Sequence, residues 1–281
     1  MSEKWIDRSW RDVLTENVDD AILFFKPDVA ADRDYTKKPF LVPTEFPAIG
    51  GDSDKGMRNS DFCLSIPLIT GMVQRIAFQI EQQHAQVKDF ALRLFQEYYR
   101  MSDRLQIPVT SLAIFTGNFN PISVYTTECY GTELNFKYNV YHVAGADVKA
   151  LERDERIFAV VVLAARKMLD ADGDPEKRGK YSLELLSLLR ERGYDAKRTR
   201  SLQKFVYRIL RIRDEKIDPK VKEEWRMQLI PIDEAVREIQ IREAKEEGKI
   251  EVARRMLERK MSISDIVDIT GLDKQDILAL G

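Results

Sequence analysis

Two cysteines, two histidines and no long apolar run in 281 residues exclude several kinds of protein at once. Cys63 and Cys129 are too few for a disulfide framework; they fit a reducing, cytoplasmic setting, and each reads as a small core residue. His84 and His142, the only imidazoles, argue against a His-based zinc centre or a Ser-His triad. No stretch of eighteen apolar residues occurs, so no transmembrane helix and no membrane partner are expected. The opening MSEKWIDRSWRD is too polar for a signal peptide. A net charge of -2 provides no global basic field, so contact with nucleic acid has to come from local patches.

What is present suits one large domain, or one domain with a helical extension. Hydrophobic residues make up 44% of the chain, enough for a sizeable core. WRDVLTENVDDAILFF (10–25) has helical periodicity and is expected to stop at Pro27. Residues 28–57 read as loop, with FLVPTEF (40–46) extended or turned. DFCLSIPLI (61–69) and VQRIAFQIE (73–81) read as a β-hairpin turning at Thr70-Gly71. A helix is expected in 87–105, a buried strand in 109–117 and one or two strands in 122–143. This order says α/β. From about 150 the pattern turns helical, with three helices up to 213 and Gly193 as a C-cap. The charged stretch 219–259 reads as one or two long exposed helices, and the last twenty residues as two short helices turning at Thr270-Gly271.

The hairpin holds the chemistry. Centred on 70–72, it sets Asp61 nearly opposite Glu81, where facing residues lie about 4.5–5.5 Å apart. Gln83, two residues on, shares the strand face of Glu81. Two carboxylates that close repel unless a cation lies between them, and oxygen donors suit Mg²⁺, with Mn²⁺ as substitute. Acid pairs at strand ends are also common, so this spacing alone reads more readily as ordinary polar strand termini.

A longer series of motifs adds to this reading: Asp7-x-x-Trp10-Arg11, FFKPDVA (24–30), the FL-x-x-x-E stretch ending at Glu45, Asp61 ahead of an apolar strand, and Ile80-Glu81-Gln82-Gln83. KDFALRLFQEYYR with Arg93, PVTSLAIFTG, YGTEL, FAVVVLAARK, ERGYDAKRTRSL and the ending TGLDKQDIL continue it. In that order they resemble the recombination-promoting nuclease (Rpn) and transposase family, a branch of the PD-(D/E)XK nuclease superfamily, over nearly the whole chain. The resemblance implies a restriction-endonuclease-like fold, a central mixed β-sheet flanked by helices with a helical C-terminal region. It implies a Mg²⁺-dependent DNA endonuclease of low sequence specificity, acting in recombination, transposition-like breakage or defence. It assigns Asp61, Glu81 and Gln83 to catalysis, and Asp61, Glu81 and the Gln82 carbonyl to the metal. Gln83 stands where the superfamily name has Lys. An amide orients water or phosphate by hydrogen bonds but cannot exchange a proton as Lys does.

Glu45, Arg11, Asp7 and Arg93 are accessory candidates; Glu45 reads more readily as a solvated loop acid, and the other three equally as solvated charges or surface ion pairs. In AKRTRSLQKFVYRILRIR (196–213), Lys197, Arg198, Arg200 and Lys204 are the candidates for DNA-backbone contact, with a solvated helix face as the alternative. The tail looks like half a helix-turn-helix. Its last helix, LDKQDILAL, is acidic, which suits a dimerisation or regulatory module better than a reader of base edges. The expected division is a nuclease-like core at 1–150, a helical extension packed on it at 151–218, and charged helices with the terminal module at 219–281. A homodimer or higher homo-oligomer through the C-terminal helices is expected. Two other readings stay open: a non-catalytic DNA-binding or scaffold protein that keeps the fold, suggested by Gln83, and a module concerned chiefly with oligomers or partners.

Overall fold

In the computed structural model the described residues are 4–42, 45–46, 58–59, 62–69, 75–84, 86–228, 248–250, 252–259, 261–272, 274 and 277. They fall into two compact units, Met1–Lys222 and Glu223–Gly281.

The first unit opens with α1 (Lys4–Glu16), α2 (Val18–Phe25) and α3 (Pro27–Asp32). The periodicity of 10–25 predicts one helix; the structure breaks it at Asn17. The buried Asn17 amide donates to the Val13 carbonyl at 3.0 Å and to Ser201 Oγ at 2.8 Å, and such side-chain bonding competes with the helical ladder. Pro27 does not simply end a helix. It occupies the first position of α3, where a missing N–H costs nothing and its fixed φ suits a helix start.

Next come the short pairs β1 (Phe40–Leu41), β2 (Glu45–Phe46) and β3 (Arg58–Asn59), then β4 (Phe62–Pro67) and β5 (Arg75–Gln83). β4 and β5 form the expected antiparallel pair, in register from Phe62↔Ile80 to Pro67↔Arg75. The turn at Thr70-Gly71 lies outside the described residues. After α4 (Phe90–Leu105), β6 (Val109–Phe115) runs parallel to β5, with Glu81↔Ala113 and Gln83↔Phe115 in register. The stretch 122–143 yields three strands rather than one or two: β7 (Val124–Cys129), β8 (Thr132–Lys137) and β9 (Asn139–His142). β7 and β8 form a separate hairpin. It turns at Tyr130-Gly131, both at positive φ, a geometry that matches the twist of paired strands. Only β9 joins the main sheet, parallel to β6. The sheet is therefore mixed and five-stranded, in the order β1-β4-β5-β6-β9.

Alternation along the strands gives the sheet two different faces. Leu64, Ile66, Phe78, Ile80, Leu112 and Ile114 line one. On that side Tyr141 of β9 meets Phe24 and Phe25 of α2, and both rings meet Phe158 of α6 (Ile157–Ala171). α6 is apolar nearly all round, as a helix enclosed by others must be. α4 covers the other face, packing Phe90 and Leu94 on Ala113 and Phe115, and Met101 on Cys63 and Ala77. α5 (Val148–Arg153), α7 (Pro175–Arg192), α8 (Ala196–Ile209) and α9 (Pro219–Gln228) complete the described helices up to 228. α7 ends at Gly193 in the left-handed conformation, as its sequence predicts. α1 packs on α8 through an edge-on contact of Trp10 and Phe205 at 5.5 Å. Among the described residues, no helix is long and apolar enough to cross a membrane.

In the second unit, residues 252–258 are helical and α10 (Ile263–Thr270) follows. Ser262 caps α10 by accepting from the Asp265 N–H, and Gly271 closes it at φ 65°. Ala253, Met256, Ile266 and Ile277 form a small core of their own. Residues 229–247, within the expected charged helices, lie outside the described residues.

Candidate active site

Gln79, Glu81 and Gln83 alternate along β5, so all three point to the α4 face, at the end of the strand paired with Ala113 and Phe115. Glu81 is 2% exposed and Gln79 fully buried, while Gln83 is partly exposed. Cys63, opposite Gln79 on β4, reports the charge there: burial, and after it the negative charge of Glu81, pushes its thiol up to about 12. Buried amides and carboxylates are tolerated only with partners. α4 supplies them. Gln79 Nε2 donates to Glu97 Oε2 at 3.1 Å, and Ser111 Oγ donates to Gln79 Oε1 at 2.7 Å. Arg93, one helical turn before Glu97, donates to Gln83 Oε1 at 3.1 Å and lies 3.8 Å from Glu97 Oε1.

Of the residues singled out from sequence, the structure thus joins Gln83 to Arg93 directly and sets Glu81 between Gln79 and Gln83 on the same row. Asp61 lies outside the described residues, as does the side chain of Glu45, whose backbone forms part of β2. The side chain of Gln82 points to the opposite face, where its amide donates to Thr116 Oγ1 at 2.6 Å. His84 Nδ1 is 3.2 Å from the Thr116 carbonyl. The neighbouring Gly117 has no room for a side chain, since a Cβ there would sit 1.8 Å from the His84 carbonyl oxygen. Asp7 and Arg11 are exposed on α1. Gln79 and Glu97 were missed in the sequence. The available signals were slight: Gln79 precedes Glu81 by two on a strand, and Glu97 follows Arg93 by four on a helix.

The basic face of α8 is partly neutralised. Arg198 pairs with Asp20 at 3.3 Å, Lys204 with Glu16 at 3.7 Å, and Arg208 with Asp12, an antiparallel ladder against α1 and α2. Lys197 and Arg200 remain exposed.

Residues 246–281 match the family model described as Rpn/YhgA-like nuclease family, C-terminal HTH domain. This match supports assignment of the chain to the Rpn family. It falls on the second unit, where the capped α10 and its four-residue core lie. An HTH domain suggests DNA binding, a partner that the acidic last helix alone does not suggest. No curated protein and no solved structure matches the chain. The matched family is by its description a nuclease family, which suggests a nuclease at the family level.

Proposed function

We propose that this Rpn-family chain is a Mg²⁺-dependent DNA endonuclease of restriction-endonuclease-like fold and low sequence specificity, with its site at the Glu81 end of β5. The buried Glu81 carboxylate carries the reading, set in one row with Gln79 and Gln83 on a hairpin whose register runs Phe62↔Ile80. Asp61 precedes Phe62 in sequence as Glu81 follows Ile80, and these two acids are the proposed metal ligands, with the Gln82 carbonyl as a third. The donors are all oxygen, which fits a hard divalent cation. When bound, Mg²⁺ supplies charge stabilisation at the phosphate and activation of water. The protein's part is to hold the acids in place and orient the phosphate through Gln83 and Arg93. Lys197 and Arg200 are the proposed contacts to the DNA backbone, and the HTH module a second one. A homodimer through the C-terminal helices completes the proposal, and light scattering tests it: a monomer at high concentration removes this part.

The deciding experiment is nicking of supercoiled plasmid with Mg²⁺ by the parent, Asp61→Ala and Glu81→Ala. The expected outcome is cutting by the parent and a loss of at least about a hundredfold in both variants. Binding of DNA without cutting, in Mg²⁺ or Mn²⁺, would instead establish a non-catalytic DNA-binding protein. Cutting that survives both substitutions would displace the site.

A further inference from the structure

A continuous polar chain leads from the sheet through α4 and ends on Gln83: Ser111 to Gln79, Gln79 to Glu97, Glu97 to Arg93, Arg93 to Gln83. The chemistry of its members fixes which way each amide faces. An ionised carboxylate only accepts, so Gln79 turns its nitrogen to Glu97 and its oxygen to Ser111. A guanidinium only donates, so Gln83 must turn its oxygen to Arg93. The amide nitrogen is then the end of Gln83 left to address a ligand.

Glu97 occupies a place where an apolar side chain would serve packing better. It is 1% exposed and lies on α4 between Leu94 and Met101, both fully buried. A carboxylate in such a position is costly unless its charge and lone pairs are used. Here one oxygen takes the Gln79 amide and the other faces Arg93, whose side chain is 35% exposed and donates onward to Gln83.

We propose that Glu97 is a positioning residue that, through Arg93, holds Gln83 with its NH₂ group presented as a hydrogen-bond donor beside Glu81. Resting on the nuclease reading, this assigns Gln83 to an anionic phosphate oxygen rather than to the metal, because an amide nitrogen does not ligate a hard cation. Arg93 then acts first by orienting Gln83.

The test combines a readout that needs no activity with one that does. The side-chain amide pair of Gln83 is observed by ¹⁵N NMR in the full chain and assigned by its disappearance in Gln83→Glu. Glu97→Gln, and separately Arg93→Lys, which keeps the charge but loses the planar fork, are expected to shift that pair. Plasmid nicking by Glu97→Gln is expected to fall about tenfold in kcat with KM for DNA held. Mn²⁺ affinity, measured by calorimetry with the metal alone, is expected to stay at the parent's value. Gln83→Glu accepts from Arg93 but cannot donate, so it is expected to lose cutting. An unmoved Gln83 pair in both Glu97→Gln and Arg93→Lys overturns the proposal, and so does Gln83→Glu cutting at the parent's rate. A parent that never nicks, with the pair still shifted by Glu97→Gln, removes the nuclease reading while upholding the positioning.

Discussion

The two faces of the main sheet are built from alternate residues of the same strands, yet they follow different rules. Leu64, Ile66, Phe78, Ile80, Leu112 and Ile114 make one face predominantly apolar, with the Gln82 amide bonded to Thr116 at its end, and rings from α2 and α6 close its far side. The α4 face places Gln79, Glu81, Gln83 and Ser111 among Cys63, Ala77, Ala113 and Phe115, and fastens Gln79 and Gln83 to one helix. The first face can be assembled from any apolar side chains that fill the space. The second requires particular partners, because each buried polar group left without one costs about 1–3 kcal/mol. A row of polar residues kept at that cost on a central strand points to chemistry, while its apolar reverse supplies stability.

The contrast can be broken most severely from the apolar side. Phe78→Ala is expected to destabilise the first unit by about 3–5 kcal/mol, read as a lowered midpoint in denaturant unfolding. A loss below about 1 kcal/mol would mean that this face is not the principal core. A smaller effect sharpens the polar side. Cys129 is exposed and Cys63 buried, so a thiol reagent at mildly alkaline pH is expected to label one cysteine quickly in the native protein and the second only on unfolding. Because burial and the negative charge of Glu81 together hold the Cys63 thiol at about 12, Glu81→Gln is expected to lower its titration. An unchanged Cys63 titration would put the Glu81 charge elsewhere.

The smallest expected effect comes from outside both faces and serves as their control. The buried Arg178 donates to Asp214 at 2.9 Å, and that hydrogen bond, together with the Lys216 backbone N–H, lowers the carboxyl below its ordinary value. A depressed acid contributes stability that is present above the unfolded value of about 3.9 and lost as pH falls through the folded one. Asp214→Asn is therefore expected to flatten the acid limb of a stability-against-pH curve without altering nicking at neutral pH. An acid limb identical to the parent's would show that the pair adds nothing.

The parts of the fold legible in the sequence were those with local causes. The β4–β5 register followed from an apolar run on each side of a Thr-Gly pair, and the end of α7 from Gly193. The break at Asn17 was not legible, because Ser201, one of the two partners that hold it, lies 184 residues away. The departure of β7–β8 from the main sheet was hidden for a similar reason: strand periodicity names an element without naming its neighbour. At the site, Glu81 and Gln83 were readable as neighbours on a strand face. Glu97 was not, since an acid on an amphipathic helix ordinarily lies in water and only the packing of α4 places this one against Gln79. The ion pairs that occupy Arg198 and Lys204 were equally out of reach, their acids being nearly the length of the first unit away.

That separation also imposes a timetable on the newborn chain. The ladder on which α1 closes joins Asp12 to Arg208, Glu16 to Lys204 and Asp20 to Arg198, and Trp10 waits for Phe205. At about 5–20 residues per second, the ribosome reaches α8 on the order of ten to forty seconds after α1, and through that interval the indole of Trp10 lacks its edge-on partner. The first helix to be made is therefore among the last to be sealed, and a stall in translation before α8 would release a chain with an open seam along its amino-terminal side.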